Sequence, residues 1–326
     1  MRLFALSDIA DMGLAVAGNL GRQLDPHEER GFEDGEHKAR PLVSVRGEHV
    51  VVIQGLHGGP AASPNDKLCK LLFFISTLRS NGAARVTALV PYLAYARKDR
   101  QTKTRDPITT QYVARLLEAA GADCVATLEV HNIVAFQNAF RGESIHLDTR
   151  RLFIDHILVR LSDQNVVVVS PDPGGVKRAQ LFREMLEQRL GRPVGQAFMD
   201  KRRSAGVVSG DMLVGDVEGS MAIIVDDLIS SGNTMARAAV ALREHGAHST
   251  ICCAAHGLFT GKAEETLSTP ALDAILVSDS IPPFRLGAGL VRNRCHIVSA
   301  APLFAGLIRC LDGEGSVSKL LGDEVA

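Results

Sequence analysis

The sequence predicts an α/β protein of two tandem, duplicated domains with mostly parallel sheets. Short runs apolar on both faces recur along the chain at Val50–Ile53, Val86–Val90, Val125–Leu128, Val166–Val169, Ala222–Val225, Thr250–Ala254 and Ala274–Val277. Strands covered by helices on both sides carry that pattern. Between the runs lie helical patterns with readable starts. Ser63-Pro64-Asn65-Asp66 is a cap, with Pro at the first helical position and an acid three residues on, followed by Leu68, Leu71, Leu72, Ile75 and Leu78. Asp106-Pro107 opens another helix, with Ile108, Tyr112, Leu116 and Ala119 on one face. Strands alternating with helices imply parallel sheets.

The duplication rests on a weak internal repeat. A helix ending in Gly-Ala and then a strand occurs at Gly82-Ala83, Gly121-Ala122 and Gly246-Ala247, and the last two strands are followed by His131 and His256. Glycine suits the left-handed position that ends a helix. The expected domains are residues 1–146 and 147–299. A closing helix over 300–311 can pack back on the first half.

Composition narrows the function. The 326 residues are 46% hydrophobic and 22% charged, a globular balance, and 36 Lys and Arg against 37 Asp and Glu leave no global field for nucleic acid or an anionic membrane. Any bound anion needs a local patch. No apolar run nears the ~20 residues that span a bilayer, and the amino terminus lacks the order of a secretory signal. Six cysteines without a C-x-x-C fit neither a zinc knuckle nor a disulfide framework, so the expected compartment is the cytoplasm.

Several segments could carry chemistry. In Ile224–Thr234 a buried strand runs into Asp226 and Asp227, then into a hydroxyl- and Gly-rich turn and a helix beginning near Asn233. Backbone N–H groups with the Ser230, Ser231 and Thr234 hydroxyls form a phosphate cradle, and the acids suit sugar hydroxyls or Mg²⁺; the plainer alternative is a strand–turn–helix junction with a Ser cap. Asp172, in Ser170–Ala179, stands at the carboxyl end of another apolar strand, where ligands of open α/β sheets gather, or merely in a Pro-Gly turn. Tyr95–Arg105 packs five basic residues with a single acid, fitting a polyphosphate better than a nucleic acid, or a solvated face. His131 is a ligand or a structural hydrogen-bonder. Lys201-Arg202-Arg203 opens a stretch composed like a mobile loop over phosphates, or like a plain surface loop. There is no G-x-x-x-x-G-K-[ST], no G-x-G-x-x-G between strand and helix, no H-E-x-x-H and no G-x-S-x-G.

Taken in order, these segments resemble the ribose-phosphate pyrophosphokinases, or phosphoribosyl pyrophosphate synthetases. The resemblance runs from MRLFA through FEDGE (Phe32–Glu36), SPND, VPYLAYARKDR (Val90–Arg100), LEVH (Leu128–His131), SPDPGGVKRA, DKRR (Asp200–Arg203) and IVDDLISSGNT to SVSKLL, nearly the whole chain. It implies two phosphoribosyltransferase-type domains and transfer of the pyrophosphoryl group of Mg-ATP to the anomeric hydroxyl of ribose 5-phosphate, giving phosphoribosyl pyrophosphate and AMP for nucleotide biosynthesis. It also implies a homodimer or a hexamer built from dimers, and no nucleic acid or membrane partner.

Carried over by residue, Asp226, Asp227, Ser230, Ser231, Gly232, Asn233 and Thr234 hold ribose 5-phosphate. Arg97, Lys98 and Arg100 contact ATP, and Phe32, Asp34 and Glu36 resemble the loop that reads adenine from the neighbouring subunit. His131 and Asp172 bind Mg²⁺ directly or through water, while Lys201 and Arg203 are the catalytic cations. Four departures stand out. Ser230 replaces the usual Asp, Asn233 replaces a Gly whose left-handed conformation Asn tolerates, Lys98 replaces a usual Gln, and Gly58–Ala62 lengthens the loop before SPND. The altered sugar loop leaves an alternative, a non-catalytic regulatory relative that binds nucleotide or an active paralogue. A phosphoribosyltransferase that consumes the product fits less well, because it needs no ATP segment.

Overall fold

The computed structural model describes the backbone at residues 1–161, 164–204 and 207–322, and the side chains of all of these except 201–204 and 207–211. The chain divides into two compact units, Met1–Asp148 with Ala300–Ala326, and Thr149–Ser299.

The first unit carries β1 (Arg2–Ala5), α1 (Ala10–Asn19), a hairpin of β2 (His27–Gly31) and β3 (His37–Pro41), β4 (His49–Ile53), α2 (Pro64–Ser80), β5 (Arg85–Val90), α3 (Thr109–Ala120), β6 (Cys124–Leu128), α4 (Ile133–Ala139) and β7 (Glu143–Leu147). Its sheet runs β1-β4-β5-β6-β7, all parallel, and the hairpin forms a separate antiparallel pair. The strands expected from two-sided apolar runs are the buried ones: Val50 to Ile53, Val86 and Ala88 to Val90 are inaccessible to solvent. The Ser63 capping box forms, with the hydroxyl accepting from Asp66 N–H and the Asp66 carboxylate from Ser63 N–H at 2.8 Å. Gly82, Gly121 and Gly246 all have positive φ, as the Gly-Ala helix ends require.

Helix α3 departs from expectation twice. It begins at Thr109, because Asp106 accepts hydrogen bonds within its own loop rather than capping the helix. Its buried face is Thr110, Val113, Ala114 and Leu117, whereas Tyr112 and Leu116 are each 48% exposed. Packing chose the smaller of two apolar faces.

The second unit carries α5 (Arg150–Leu158), β8 (Val166–Ser170), α6 (Val176–Leu190), β9 (Gly195–Ser204), β10 (Val207–Val214), β11 (Met221–Ile229), α7 (Asn233–Glu244), β12 (Ser249–Gly257), α8 (Ala263–Leu267), β13 (Ala274–Ser278), α9 (Ala288–Arg294) and β14 (Cys295–Val298). The sheet order is β10-β9-β8-β11-β12-β13-β14, parallel except for β10 against β9. Strand order reverses between β8 and β11. Side chains alternate between two cores along β11: Ala222 and Ile224 join Met235, Ala238 and Leu242 of α7, while Ile223 and Val225 join Phe153 and Ile157 of α5 and Phe182 of α6.

The segment expected as a loop from Lys201 is instead part of an antiparallel ladder. Asp200 pairs with Met212 and Met199 with Leu213, with a register shift between Val208 and Asp211. The valines Val207, Val208 and Val214 and the chance to extend an existing sheet edge favour a strand over a loop. After β14 the chain supplies α10 (Ala301–Leu311) and α11 (Val317–Leu321) to the first unit, where α10 packs on α1 and Arg309 donates to the Asn19 carbonyl. Among the described residues no helix is long and apolar enough to cross a membrane.

Candidate functional site

In an open α/β sheet, adjacent strands whose helices leave on opposite faces part at their carboxyl ends and open a crevice. β8 and β11 are such a pair, and two of the singled-out segments follow them. Beyond β8, Asp172 turns the chain: Ser170 Oγ donates to the Asp172 carbonyl at 2.6 Å, and Gly175 N–H donates to Asp172 Oδ1 at 3.1 Å. A Cβ on Gly175 would lie 2.7 Å from Ser170 Oγ, so the turn requires glycine. Asp172 is thus a turn-former whose second carboxylate oxygen makes no hydrogen bond among the described residues.

The two acids of β11 lie within the strand, not after it. Asp227 is buried at 4% exposure, and its N–H donates to Asp226 Oδ1 at 2.8 Å. Arg178, from the first turn of α6, places Nη1 3.4 Å from Asp226 Oδ1 and 3.8 Å from Asp227 Oδ1. Burial, and then the neighbouring Asp227, push the Asp226 carboxyl well above the usual carboxylate range, and the Arg178 guanidinium opposes them. Sequence reading passed over Arg178. Its signal was a cation in a helix's first turn, where the dipole disfavours it unless a carboxylate stands opposite.

The turn Ser230–Gly232 then leads into α7. Gly232 has φ 79°, and a Cβ there would meet Leu267 Cγ at 2.7 Å. The left-handed residue is therefore Gly232, and Asn233, expected to fill that role, is the first residue of the helix. No side chain caps α7, so its first N–H groups, with Ser231 and Thr234 beside them, remain available to an anion. The turn is held from behind by the segment after β12: Leu258 and Phe259 N–H donate to the Ile229 carbonyl at 2.9 and 3.1 Å, and Thr260 N–H to the Ser230 carbonyl at 2.9 Å. The Lys201 and Arg203 side chains lie outside the described residues.

In the first unit the basic loop after β5 is organised by carboxylates. Asp106 accepts from Lys98 Nζ, from Thr102 Oγ1 at 2.7 Å and from Lys103 N–H at 3.0 Å, which hold its carboxyl far below the usual range, Lys98 contributing most. Lys98, expected to contact ATP, is thus engaged inside its own loop. Thr110 Oγ1 donates to the Lys98 carbonyl at 3.2 Å, and Tyr95 holds φ 66°. Arg97 and Arg100 are exposed. Asp99 accepts from Asn132 Nδ2 at 2.7 Å, tying this loop to the one that bears exposed His131. Glu129, at φ 40°, precedes it. Phe32, Asp34 and Glu36 form the exposed tip of the β2–β3 hairpin, with the Arg30 guanidinium 5.2 Å over the Phe32 ring. No hydrogen bond or ion pair among the described residues joins that tip to Arg97 or Arg100.

Mg²⁺ is held by hard oxygens and commonly takes only one or two carboxylates, the rest being water and substrate phosphate. The absence of any cluster of three or more His, Cys, Asp or Glu side chains among the described residues is compatible with such a site. The open oxygen of Asp172 and the Asp226–Asp227 pair have the right chemistry for it.

Comparison with known proteins bears on the whole chain. A family model described as the N-terminal domain of ribose phosphate pyrophosphokinase matches residues 1–121, and one described as a phosphoribosyl synthetase-associated domain matches 207–321. The ribose-phosphate pyrophosphokinase of Caldanaerobacter subterraneus is 37% identical, covering 98% of this chain and 97% of that protein. That of Hyphomonas neptunium is 37% identical, with coverages of 98% and 99%. The crystal structure of phosphoribosylpyrophosphate synthetase from Mycobacterium smegmatis superposes with a TM-score of 0.85 at 33% identity, covering 96% of this chain and 99% of that one. With identity at this level along nearly its full length and both family models in place, the chain belongs to the ribose-phosphate pyrophosphokinase family.

Proposed function

We propose that the protein transfers the β,γ-pyrophosphoryl group of Mg-ATP to ribose 5-phosphate. The anomeric oxygen forms a bond to the β-phosphorus, the bond from that phosphorus to the α-phosphate oxygen breaks, AMP leaves, and the hydroxyl proton passes to solvent or a nearby base. The observation that carries the proposal is the pair of segments beyond adjacent strands β8 and β11, at the one reversal of strand order in the second unit. There the uncapped start of α7 with Ser231 and Thr234 would bind the 5-phosphate, and Asp226 and Asp227 would accept from the ribose hydroxyls. Arg178 would align the two acids and offset part of the cost of charging them.

Arg97 and Arg100 would hold the ATP phosphates, with Lys98 and Asp106 shaping their loop. The hairpin tip with Phe32, Asp34 and Glu36 would close on the adenine of a neighbouring copy, making a homodimer, or a hexamer built from dimers, the functional assembly. His131 and Asp172 would hold Mg²⁺, which neutralises charge on the transferring group. Phosphoryl chemistry needs alignment and charge compensation more than covalent help, which the cations Lys201 and Arg203 can supply. Six free cysteines, with Cys124, Cys252, Cys253 and Cys295 buried, suit a cytoplasmic enzyme.

Purified protein incubated with ATP, Mg²⁺ and ribose 5-phosphate is expected to form AMP and phosphoribosyl pyrophosphate in equal amounts. Neither product appearing, while ATP still binds, would overturn the proposal in favour of a regulatory relative.

A further inference from the structure

We infer that Thr260 is a positioning residue for the sugar-phosphate turn, and that its pairing with Ser230 makes position 230 a hydrogen-bond donor selective for a phosphate oxygen. This deepens the reading of 230–234 as a sugar-phosphate cradle and rests on it. Ser230 Oγ and Thr260 Oγ1 lie 2.9 Å apart, both half-buried. Neither hydroxyl makes another hydrogen bond among the described residues. Each hydroxyl has one proton and two lone pairs. With Thr260 as the donor within the pair, the Ser230 O–H remains to donate outward. A phosphate oxygen, which only accepts, is the partner that satisfies it.

The pair is held rigidly. Phe259, its ring buried, has φ 47°, a strained value for a side-chain-bearing residue. A Cβ on Gly257 would lie 2.3 Å from that ring, so only glycine lets Phe259 fold back there. This kink turns residues 258–260 across the end of β11, where they donate to the carbonyls of Ile229 and Ser230. Thr260 is thereby fixed by backbone, and Ser230 is fixed through Thr260. A carboxylate at 230 would accept from Thr260 and offer only further acceptors, which suit a sugar hydroxyl and repel a phosphate.

The test compares Thr260→Val, Thr260→Ser, Ser230→Ala and the Ser230→Ala/Thr260→Val double variant, each as the full chain. Binding of ribose 5-phosphate and of inorganic phosphate is measured by calorimetry, beside the KM for ATP and the Tm. Thr260→Val should weaken ribose 5-phosphate binding about five- to tenfold, the worth of one hydrogen bond, with ATP KM and Tm unchanged and Thr260→Ser restoring affinity. The double variant should be no worse than Ser230→Ala, since Thr260 acts on the phosphate only by orienting Ser230. Unchanged affinity in Thr260→Val, or additive losses in the double variant, would overturn the inference. A wild-type protein that binds neither ribose 5-phosphate nor phosphate would instead overturn the cradle itself.

Discussion

The two units share an α/β plan and differ in how their sheets are threaded. In the first unit strand order follows the chain, β1-β4-β5-β6-β7; in the second it reverses between β8 and β11. The reversal gives the second unit a crevice by topology, lined by backbone N–H groups and strand-borne acids. Without one, the first unit shapes its basic loop with side chains: Asp106 gathers Lys98, Thr102 and Lys103, and Asp99 reaches Asn132. A site made by backbone should tolerate side-chain changes poorly only where glycine or a buried acid is required. A site made by side chains should loosen in steps.

Substitutions can break this contrast. The largest effect belongs to Lys201→Ala, expected to lower kcat by roughly 10²–10³-fold with ATP KM unchanged, because such a cation acts in the transition state; a loss confined to affinity would contradict that role. Gly232→Ala comes next. With φ 79° and Leu267 Cγ 2.7 Å from the added carbon, it should cost about 1–3 kcal/mol, read as a lower Tm, and raise the KM for ribose 5-phosphate. A variant with wild-type Tm would mean the turn is not held as described. Asp106→Asn should raise the ATP KM by several-fold and leave the ribose 5-phosphate KM alone; equal effects on both would erase the distinction between the units.

The smallest effect is the second unit's share of a pH dependence. His156 and His296 have ring centroids 5.9 Å apart, and Arg160 Nη2 lies 3.3 Å from His296 Nδ1. Burial, and then Arg160, push both imidazoles below their ordinary value of 6.5. Asp155, on the same helix, pairs with Arg151 and Arg189. Folded protein therefore resists protonation that the unfolded chain accepts. The stability this lends is full above about 6.5 and declines as pH falls through that value towards the lower folded ones. Tm measured from pH 7.5 to 5.5 should fall, and His296→Gln should flatten the slope; an unaltered slope would sever these groups from it.

What was legible in the sequence was whatever local chemistry decides. Runs apolar on both faces mark β4, β5, β8 and β11 because helices on both sides leave no polar alternate positions, and Ser63 with Asp66 declares a helix start within four residues. The strand–turn–helix course of Ile224–Thr234 was readable for the same reason. Tertiary choices were not. Helix α3 has two faces that read as apolar, and only packing shows that Tyr112 and Leu116 lie outside. Arg178 meets Asp226 across 48 residues and Thr260 meets Ser230 across 30, separations no motif encodes. Lys201 sits among charges that read as loop because sheet extension depends on the neighbour β8, not on the segment itself.

The first unit is assembled from both ends of the chain, with α10 packed on α1 and the whole of 149–299 inserted before it. Helix α1 is thus made well before α10, which packs on it. At about 5–20 residues per second, α1 stands without its partner for tens of seconds while the second unit, contiguous in sequence, can already close. The order of completion can therefore be the reverse of the order of numbering, the second unit closing before the unit that precedes it.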